Sequence, residues 1–296
     1  MDGLSPMLAQ LVNGLIIGSI YGLMALGLTI IFGVLKIVNF SHGEFYMLGA
    51  YASYFISQTL GLHPVLGIVV AIGATFIIGM LIEKALLPPL FENKVERKEE
   101  YALLVTFGLS LFLINLALAV FGPFQKSAPA LTKGNIDLGV ISLSSGKVLA
   151  AVIAIVVLLI TLFVIQKTWL GTALRAISQD RDASAIMGIN AKRLGSIAFG
   201  LGACMAGAAG ALLGPVFLVY PIMGTVPAIK SFVIIVLGSM GSIKGAIYGA
   251  LLVGIVESLG VIFLSPAYRD VYSFLILILV LLFKPKGLFG GAQWNN

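Results

Sequence analysis

Five polar residues, Lys36, Asn39, Ser41, His42 and Glu44, fall within nine positions of the segment KIVNFSHGEFYMLGAY, between two apolar runs. A charge at the centre of a bilayer costs from about 2.5 kcal/mol upward. Such a cluster therefore implies a break between helices, its polar groups facing a cavity or another chain. Gly43 supplies the flexibility for that break. A second reading makes the segment a short turn in which Ser41 caps the next helix and Glu44 completes a capping box. Two more ionisable residues stand in apolar surroundings, Glu257 inside a long run and Lys230 at the opening of one. An intramembrane ionisable group marks a functional site by default; an internal ion pair, or snorkelling of Lys230 to an interface, is the structural alternative. Glu83 and Lys84, at a span end, read as interfacial. Tyr21, Tyr51 and Tyr220 are candidates to line a path, or to anchor span ends at the interface.

Several chemistries are excluded. No GxxxxGK[ST] occurs, so the chain has no phosphate cradle of that kind. There is no HExxH and no CxxC, and there are two histidines and one cysteine, Cys204. Metal or zinc-protease chemistry is therefore not expected. His42 and Glu44, two residues apart, would point to different faces of a helix. Ser41 and His42 are adjacent and do not make a nucleophile and base. No catalytic residue, metal site or cofactor is assigned.

The elements that hold these residues follow from composition. Of 296 residues, 59% are hydrophobic and 10% charged, against about a quarter charged in a soluble domain. At ~20 residues per crossing, this is material for eight or nine spans and little else. The single cysteine rules out a disulfide scaffold, and the net charge of +6 reports loop orientation rather than a nucleic-acid partner. Asp2 precedes an uncharged run over 3–35 with no basic segment before it, so the run reads as a retained first span, not a cleaved signal. Later runs cover 45–62, 63–82, 101–125, 148–166, 194–229, 231–243, 245–256 with an extension to 268, and 271–283. Gly214-Pro215, Pro221 and Pro227 break the run over 194–229, which predicts a span to Leu213 and then a non-helical stretch. The short run near 231–243 suits a half-helix or re-entrant segment shielded by protein. The expected fold is an all-α polytopic membrane protein of about eight to ten transmembrane or re-entrant helices, one domain over 1–296.

Basic residues orient it. With alternating elements and the loop over 167–193 placed in the cytoplasm, thirteen of the eighteen Lys and Arg fall on that side: Lys36, Lys84, Lys94, Arg97, Lys98, Lys167, Arg175, Arg181, Lys192, Arg193, Lys244, Lys284 and Lys286. Lys126, Lys133, Lys147 and Arg269 fall opposite, and Lys230 lies within the membrane. This positive-inside bias puts the C-terminus in the cytoplasm. Glycines add a packing signal. Gly14, Gly18 and Gly22 recur every four residues, as do Gly202, Ala206, Gly210 and Gly214, and Gly241, Gly245 and Gly249. That spacing places each set on one helix face where backbones can approach, within the chain or against a second membrane subunit.

The loop GTALRAISQDRDASAIMGIN reads as a cytoplasmic helix with a weak apolar stripe of Leu174, Ile177, Ala185 and Ile186, preceded by Gly171 and ended by Gly188. Its many small residues suit a protein groove better than a lipid surface. Asp182-Ala183-Ser184 followed by Gly188 keeps the spacing of the short loop by which ABC importer permeases dock into their ATPases, with Asp182 and Ser184 as departures from the general motif. With NFSHGEFYMLGAY and the Gly-rich first helix, the chain resembles the H-type permease subunit of branched-chain amino acid ABC transporters almost from end to end.

The resemblance implies a type II ABC importer-like transmembrane domain in the bacterial inner membrane. It implies a second homologous permease subunit, two cytoplasmic ATPases that bind the ATP, a periplasmic or lipid-anchored substrate-binding protein, and surrounding lipid. It makes Arg175, Gln179, Asp180, Asp182, Ala183, Ser184 and Gly188 the coupling helix, within a coupling loop over 171–190. Asn39, Ser41, His42 and Glu44, with Tyr21 and Glu257, would lie along the translocation path; Gly14, Gly18, Gly22, Gly202 and Gly210 would pack helices. The substrate, branched-chain or other hydrophobic amino acids, follows from the resemblance alone. An ion-coupled secondary amino acid transporter is the alternative, with Glu257, Glu44 and Lys230 on an ion relay.

Overall fold

Apolar runs rich in Leu, Ile, Ala and Gly fold as helices in hydrocarbon because only a helix satisfies its own backbone there. The computed structural model describes residues 4–91, 95–137, 139, 142–263 and 265–290; Lys94 of the basic side lies outside them. Twelve α-helices run in chain order among the described residues. They are α1 (Leu4–Leu35), α2 (His42–Tyr54), α3 (Pro64–Leu86), α4 (Pro88–Phe91), α5 (Lys98–Phe121) and α6 (Ser145–Lys167). After these come α7 (Trp169–Gln179), α8 (Arg181–Ile186), α9 (Ala191–Leu213), α10 (Thr225–Gly238), α11 (Ile243–Phe263) and α12 (Arg269–Phe283). A π-helical turn, Phe55–Thr59, prolongs α2. Six helices, α1, α3, α5, α6, α9 and α11, are long and apolar enough to cross a membrane. Among the shorter helices of the described residues, α10 is also apolar along its length. The loop between α5 and α6 adds a two-stranded antiparallel hairpin, β1 (Asn135–Asp137) and β2 (Ser142–Ser144), with Ile136 opposite Leu143.

Breaks fall where backbone chemistry demands them. Lys36 ends α1 in a left-handed conformation at φ 57°. Leu213 ends α9 just before Gly214 and Pro215, as the prolines predict. Lys230 lies in the second turn of α10 rather than at a helix opening, because the helix begins at Thr225 and Pro227 sits in its first turn. There a proline forfeits no helical hydrogen bond.

The interior is built on α1 and α9, which are 83% and 89% buried, while α3, α5 and α6 are 28%, 28% and 33% buried and turn apolar faces outward. The glycine stripes explain the inner contacts. A Cβ on Gly14 would lie 2.8 Å from the Gly254 carbonyl of α11, and one on Gly18 would lie 3.0 Å from the Ala250 carbonyl. Gly202 of α9 faces Ile31 and the Gly27 carbonyl of α1; Gly210 abuts the Tyr46 carbonyl of α2. Gly22 has more room, 3.6 Å from Leu158. These faces pack within the chain. Gly241 departs from its stripe: it lies in the turn before α11 at φ 85°.

Replacing a contact glycine should therefore be costly and replacing an open one should not. In Gly202→Ala the new Cβ would lie 2.7 Å from the Gly27 carbonyl oxygen. We expect a loss of roughly 1–3 kcal/mol, seen as a lower thermal unfolding midpoint in detergent. Gly108→Ala in α5, with nothing within 4 Å, should leave the midpoint unchanged or raise it.

Candidate functional site

Glu257 enters the core because α11 lies along α1 through its small residues, which leaves no solvent on that face. Its side chain is fully buried and meets cations from two neighbouring helices. Lys230 of α10 is 2.9 Å from Glu257 Oε2, and Arg269 at the start of α12 is 3.4 Å from the same oxygen. Ser273, one turn further along α12, donates its hydroxyl to Glu257 Oε1. Lys230 Nζ also reaches Asp270 at 2.9 Å and donates to the Tyr21 hydroxyl at 3.3 Å. The Tyr21 ring lies beneath it, 5.3 Å from Nζ to centroid. Two cations and two carboxylates thus neutralise one another, the arrangement that makes buried charge tolerable. The ion-pair alternative for Lys230 and Glu257 is the one observed.

A cavity of about 220 Å³ opens beside this cluster. Lys230, Arg269, Asp270, Tyr21, Tyr46 and Tyr220 form its polar side; Leu213, Phe217, Leu218, Met223, Val226 and Pro227 form its apolar side. The segment after α9 is held over it by paired backbone bonds between Val219 and Lys126, 2.8 and 2.9 Å. Close contact of Gly224 with Gly43 presses the same segment onto the start of α2. Tyr21 lies fourteen residues before Leu35, about 21 Å along α1 from the end that meets the loop over 167–193.

The polar break between α1 and α2 is separate from this cavity. Asn39, Ser41 and His42 are fully buried and Glu44 nearly so. The Asn39 Oδ1 accepts from the Ser41 backbone N–H at 3.1 Å and from its hydroxyl at 2.7 Å, an Asx turn. His42 Nε2 donates to the Met24 carbonyl at 2.9 Å, and since a carbonyl only accepts, the hydrogen sits on Nε2. Ser110 of α5 donates to Glu44 Oε1 at 2.9 Å. The capping box does not form: the Ser41 side chain is engaged by Asn39 and makes no cap bond, and the Glu44 carboxylate turns to α5. Glu83, near the end of α3, is 2% exposed and accepts the Ser196 hydroxyl of α9. Tyr51 stacks on Phe121 at 4.2 Å, away from the cavity.

The loop over 167–193 is two helices, not one. Asp180 leaves helical geometry and caps α8, its Oδ1 accepting from Asp182 N at 2.9 Å and Ala183 N at 3.0 Å. Gly171 lies inside α7 rather than before it, where a Cβ would strike the Ile165 backbone. Gly188 closes α8 at φ 81°, with Gly188 N bonded to the Ala185 carbonyl and Ile189 N to the Ser184 carbonyl, a Schellman end. The apolar stripe divides at Asp180. Leu174 and Ile177 are buried in the chain's own core, whereas Ala185 is exposed and Ile186 and Met187 project at 86% and 81% exposure. Arg175, half-buried, donates to the Ile165 carbonyl; Gln179 ends α7 at the surface. Arg181 donates to the Val34 and Leu35 carbonyls, 3.3 and 3.0 Å, and so ties α8 to the last turn of α1. Desolvation, then the Arg181 charge, push the pKa of the neighbouring Lys36 below the ordinary lysine value.

Of the path residues expected from the sequence, Tyr21 lines the cavity and Glu257 supports it from behind, while 39–44 form a distinct buried cluster. The sequence places Arg269 only on the side opposite the loop over 167–193 and gives Asp270 no role. Their one signal is adjacency at a membrane edge, and only folding brings them to Lys230. Lys230→Met should cost about 1–3 kcal/mol of stability, less than a fully stranded carboxylate would, because Glu257 keeps Arg269 at 3.4 Å and the Ser273 hydroxyl. The double variant Lys230→Met/Glu257→Leu should cost less than the sum of the two single changes in a thermal-melt double-mutant cycle.

A family model described as branched-chain amino acid transport system / permease component matches residues 10–281. The high-affinity branched-chain amino acid transport system permease protein LivH of Escherichia coli (strain K12) is 36% identical, over 97% of this chain and 96% of LivH. The corresponding protein BraD of Pseudomonas aeruginosa is 37% identical over the same shares. The high-affinity branched-chain amino acid transport system permease protein LivM of E. coli is 27% identical over 91% of this chain and 67% of LivM. The chain is a member of the branched-chain amino acid transport permease family.

Proposed function

We propose that this protein is a permease subunit of an ATP-driven ABC importer for branched-chain amino acids. The observation that carries this reading is the end-to-end likeness to LivH and BraD, whose names describe permease proteins of high-affinity branched-chain amino acid transport systems. The whole chain, 1–296, acts as one type II importer-like transmembrane domain and forms half of a translocation path. Likeness to LivM supports a second, homologous permease as the other half. Two cytoplasmic ATPases bind and hydrolyse the ATP, and a periplasmic or lipid-anchored binding protein delivers the substrate. The setting is the bacterial inner membrane with the C-terminus in the cytoplasm. Tyr21 and Glu257, and separately Asn39, Ser41, His42 and Glu44, contribute polar groups along the path.

Coupling runs through Arg175 to Gly188. The exposed Ile186–Met187 apex is the apolar knob that an ATPase groove would take, and Asp180, Asp182, Ala183 and Ser184 set the short helix that carries it. Motion of α8 reaches the membrane by two rigid links. One is the Arg181 contact with the end of α1; the other is the burial of Leu174 and Ile177. A short helix capped at both ends moves as a body, which suits transmission of a mechanical step.

Co-purification of the tagged chain in mild detergent should yield a second permease and two ATPase chains, with leucine uptake that requires ATP in proteoliposomes. Uptake by the chain alone, driven by an ion gradient, would instead establish the secondary transporter. Ile186→Asp or Ala183→Glu should abolish ATPase association and uptake while membrane insertion and the amount of folded chain persist. Arg181→Gln should retain the ATPases but reduce uptake per ATP hydrolysed, since the link to the end of α1 is cut.

A further inference from the structure

Resting on the permease reading, we propose that the cavity beside Lys230 is a recognition site for a zwitterionic α-amino acid with an apolar side chain. Lys230 and Arg269 take the carboxylate, and Asp270 takes the ammonium group.

Three observations converge on this ligand. First, the cluster of Lys230, Arg269, Glu257 and Asp270 carries two positive and two negative charges. A zwitterion adds no net charge to that balance, whereas an anion or a cation alone would leave one buried charge uncompensated, which is strongly disfavoured in a membrane. Second, one contact in the cluster can open without orphaning its lysine. Asp270 is 56% exposed and Glu257 is fully buried, so when Asp270 turns to an ammonium group Lys230 keeps Glu257 at 2.9 Å. Tyr21 holds the lysine in place from below through its hydroxyl and ring face. Third, the opposite wall is apolar. Phe217, Leu218, Met223 and Val226 face the charged side across about 220 Å³. That volume is below the ~300–1,000 Å³ of sites for drug-sized ligands and suits a molecule the size of one amino acid. Charged groups that fix both ends of a ligand, set against an apolar wall for its side chain, are the elements of an orienting site.

The site lies about 21 Å along α1 from the end that meets the loop over 167–193, near the middle of that 32-residue helix. The fully buried Glu257 and Ser273 act as positioning residues, reaching the ligand only through Lys230 and Arg269.

The test uses the assembled transporter with its partner subunits in lipid nanodiscs, without binding protein, titrated calorimetrically. The probes are leucine, leucinamide, which lacks the carboxylate, and 4-methylpentanoate, which lacks the ammonium group. Leucine should bind saturably and each analogue about tenfold or more weakly, as loss of one charge-assisted contact requires. Asp270→Asn should lower leucine affinity about tenfold and leave 4-methylpentanoate bound as tightly or more tightly, because the cluster then carries one net positive charge that the anion compensates. A merely structural Asp270 would not change that ratio. Equal binding of the three probes overturns the site. So does an unchanged leucine to 4-methylpentanoate ratio in a folded Asp270→Asn complex, or absence of saturable leucine binding in a complex that transports leucine. Absence of ATP-driven leucine uptake by the unmodified complex overturns the permease reading itself, so the two failures are distinct.

Discussion

Close backbone contact between α1 and its neighbours α9 and α11 is the constraint on which the remaining structure depends. Lipid gives no hydrophobic drive for apolar helices to associate, so they pack through surfaces small enough to bring backbones together. Gly14, Gly18 and Gly254 do this on one side of α1, and Gly27 with Gly202 on the other. Because α11 lies so near α1, Glu257 has no route to water and Ser258 reaches across to Gln10. The buried charge cluster is thus a consequence of glycine packing, and its positions are set by helices that cannot shift independently.

That rigidity serves both ends of the molecule. At one end, Arg181 fastens the short helix α8 to the last carbonyls of α1. Further along the same helix, Tyr21 touches Lys230. A single long helix therefore contacts both the loop over 167–193 and the charge-lined cavity, which are joined through packed backbone. The outer helices α3, α5 and α6 have no such role in the core and keep apolar faces for lipid or partner chains.

Much of this was legible in the residues. The span to Leu213, the non-helical stretch after it and the small-residue faces follow from proline and glycine chemistry, which acts locally. The Lys230–Glu257 pair was legible as an alternative, because an ionisable group in hydrocarbon must find a partner. The capping box failed for the opposite reason. Its spacing was good, but Asn39 and Ser110 offered Ser41 and Glu44 competing partners, one of them 66 residues away. The single coupling helix failed at Asp180, whose carboxylate caps α8 and ends α7, a choice between two helical continuations that the weak stripe did not reveal.

By itself the sequence determined that this is an all-α membrane chain, which loop carries the excess of basic charge, and which helix faces are small. Composition, charge and four-residue spacing act along one helix at a time, so no tertiary contact is needed to read them. Only the tertiary structure decided that Arg269 and Asp270 join Lys230 and Glu257, that Tyr21 lies in the same cavity, and that the loop apex presents Ile186 and Met187 while hiding Leu174 and Ile177. Those outcomes depend on where separate helices cross, and the crossings are set by the fit of many close contacts at once.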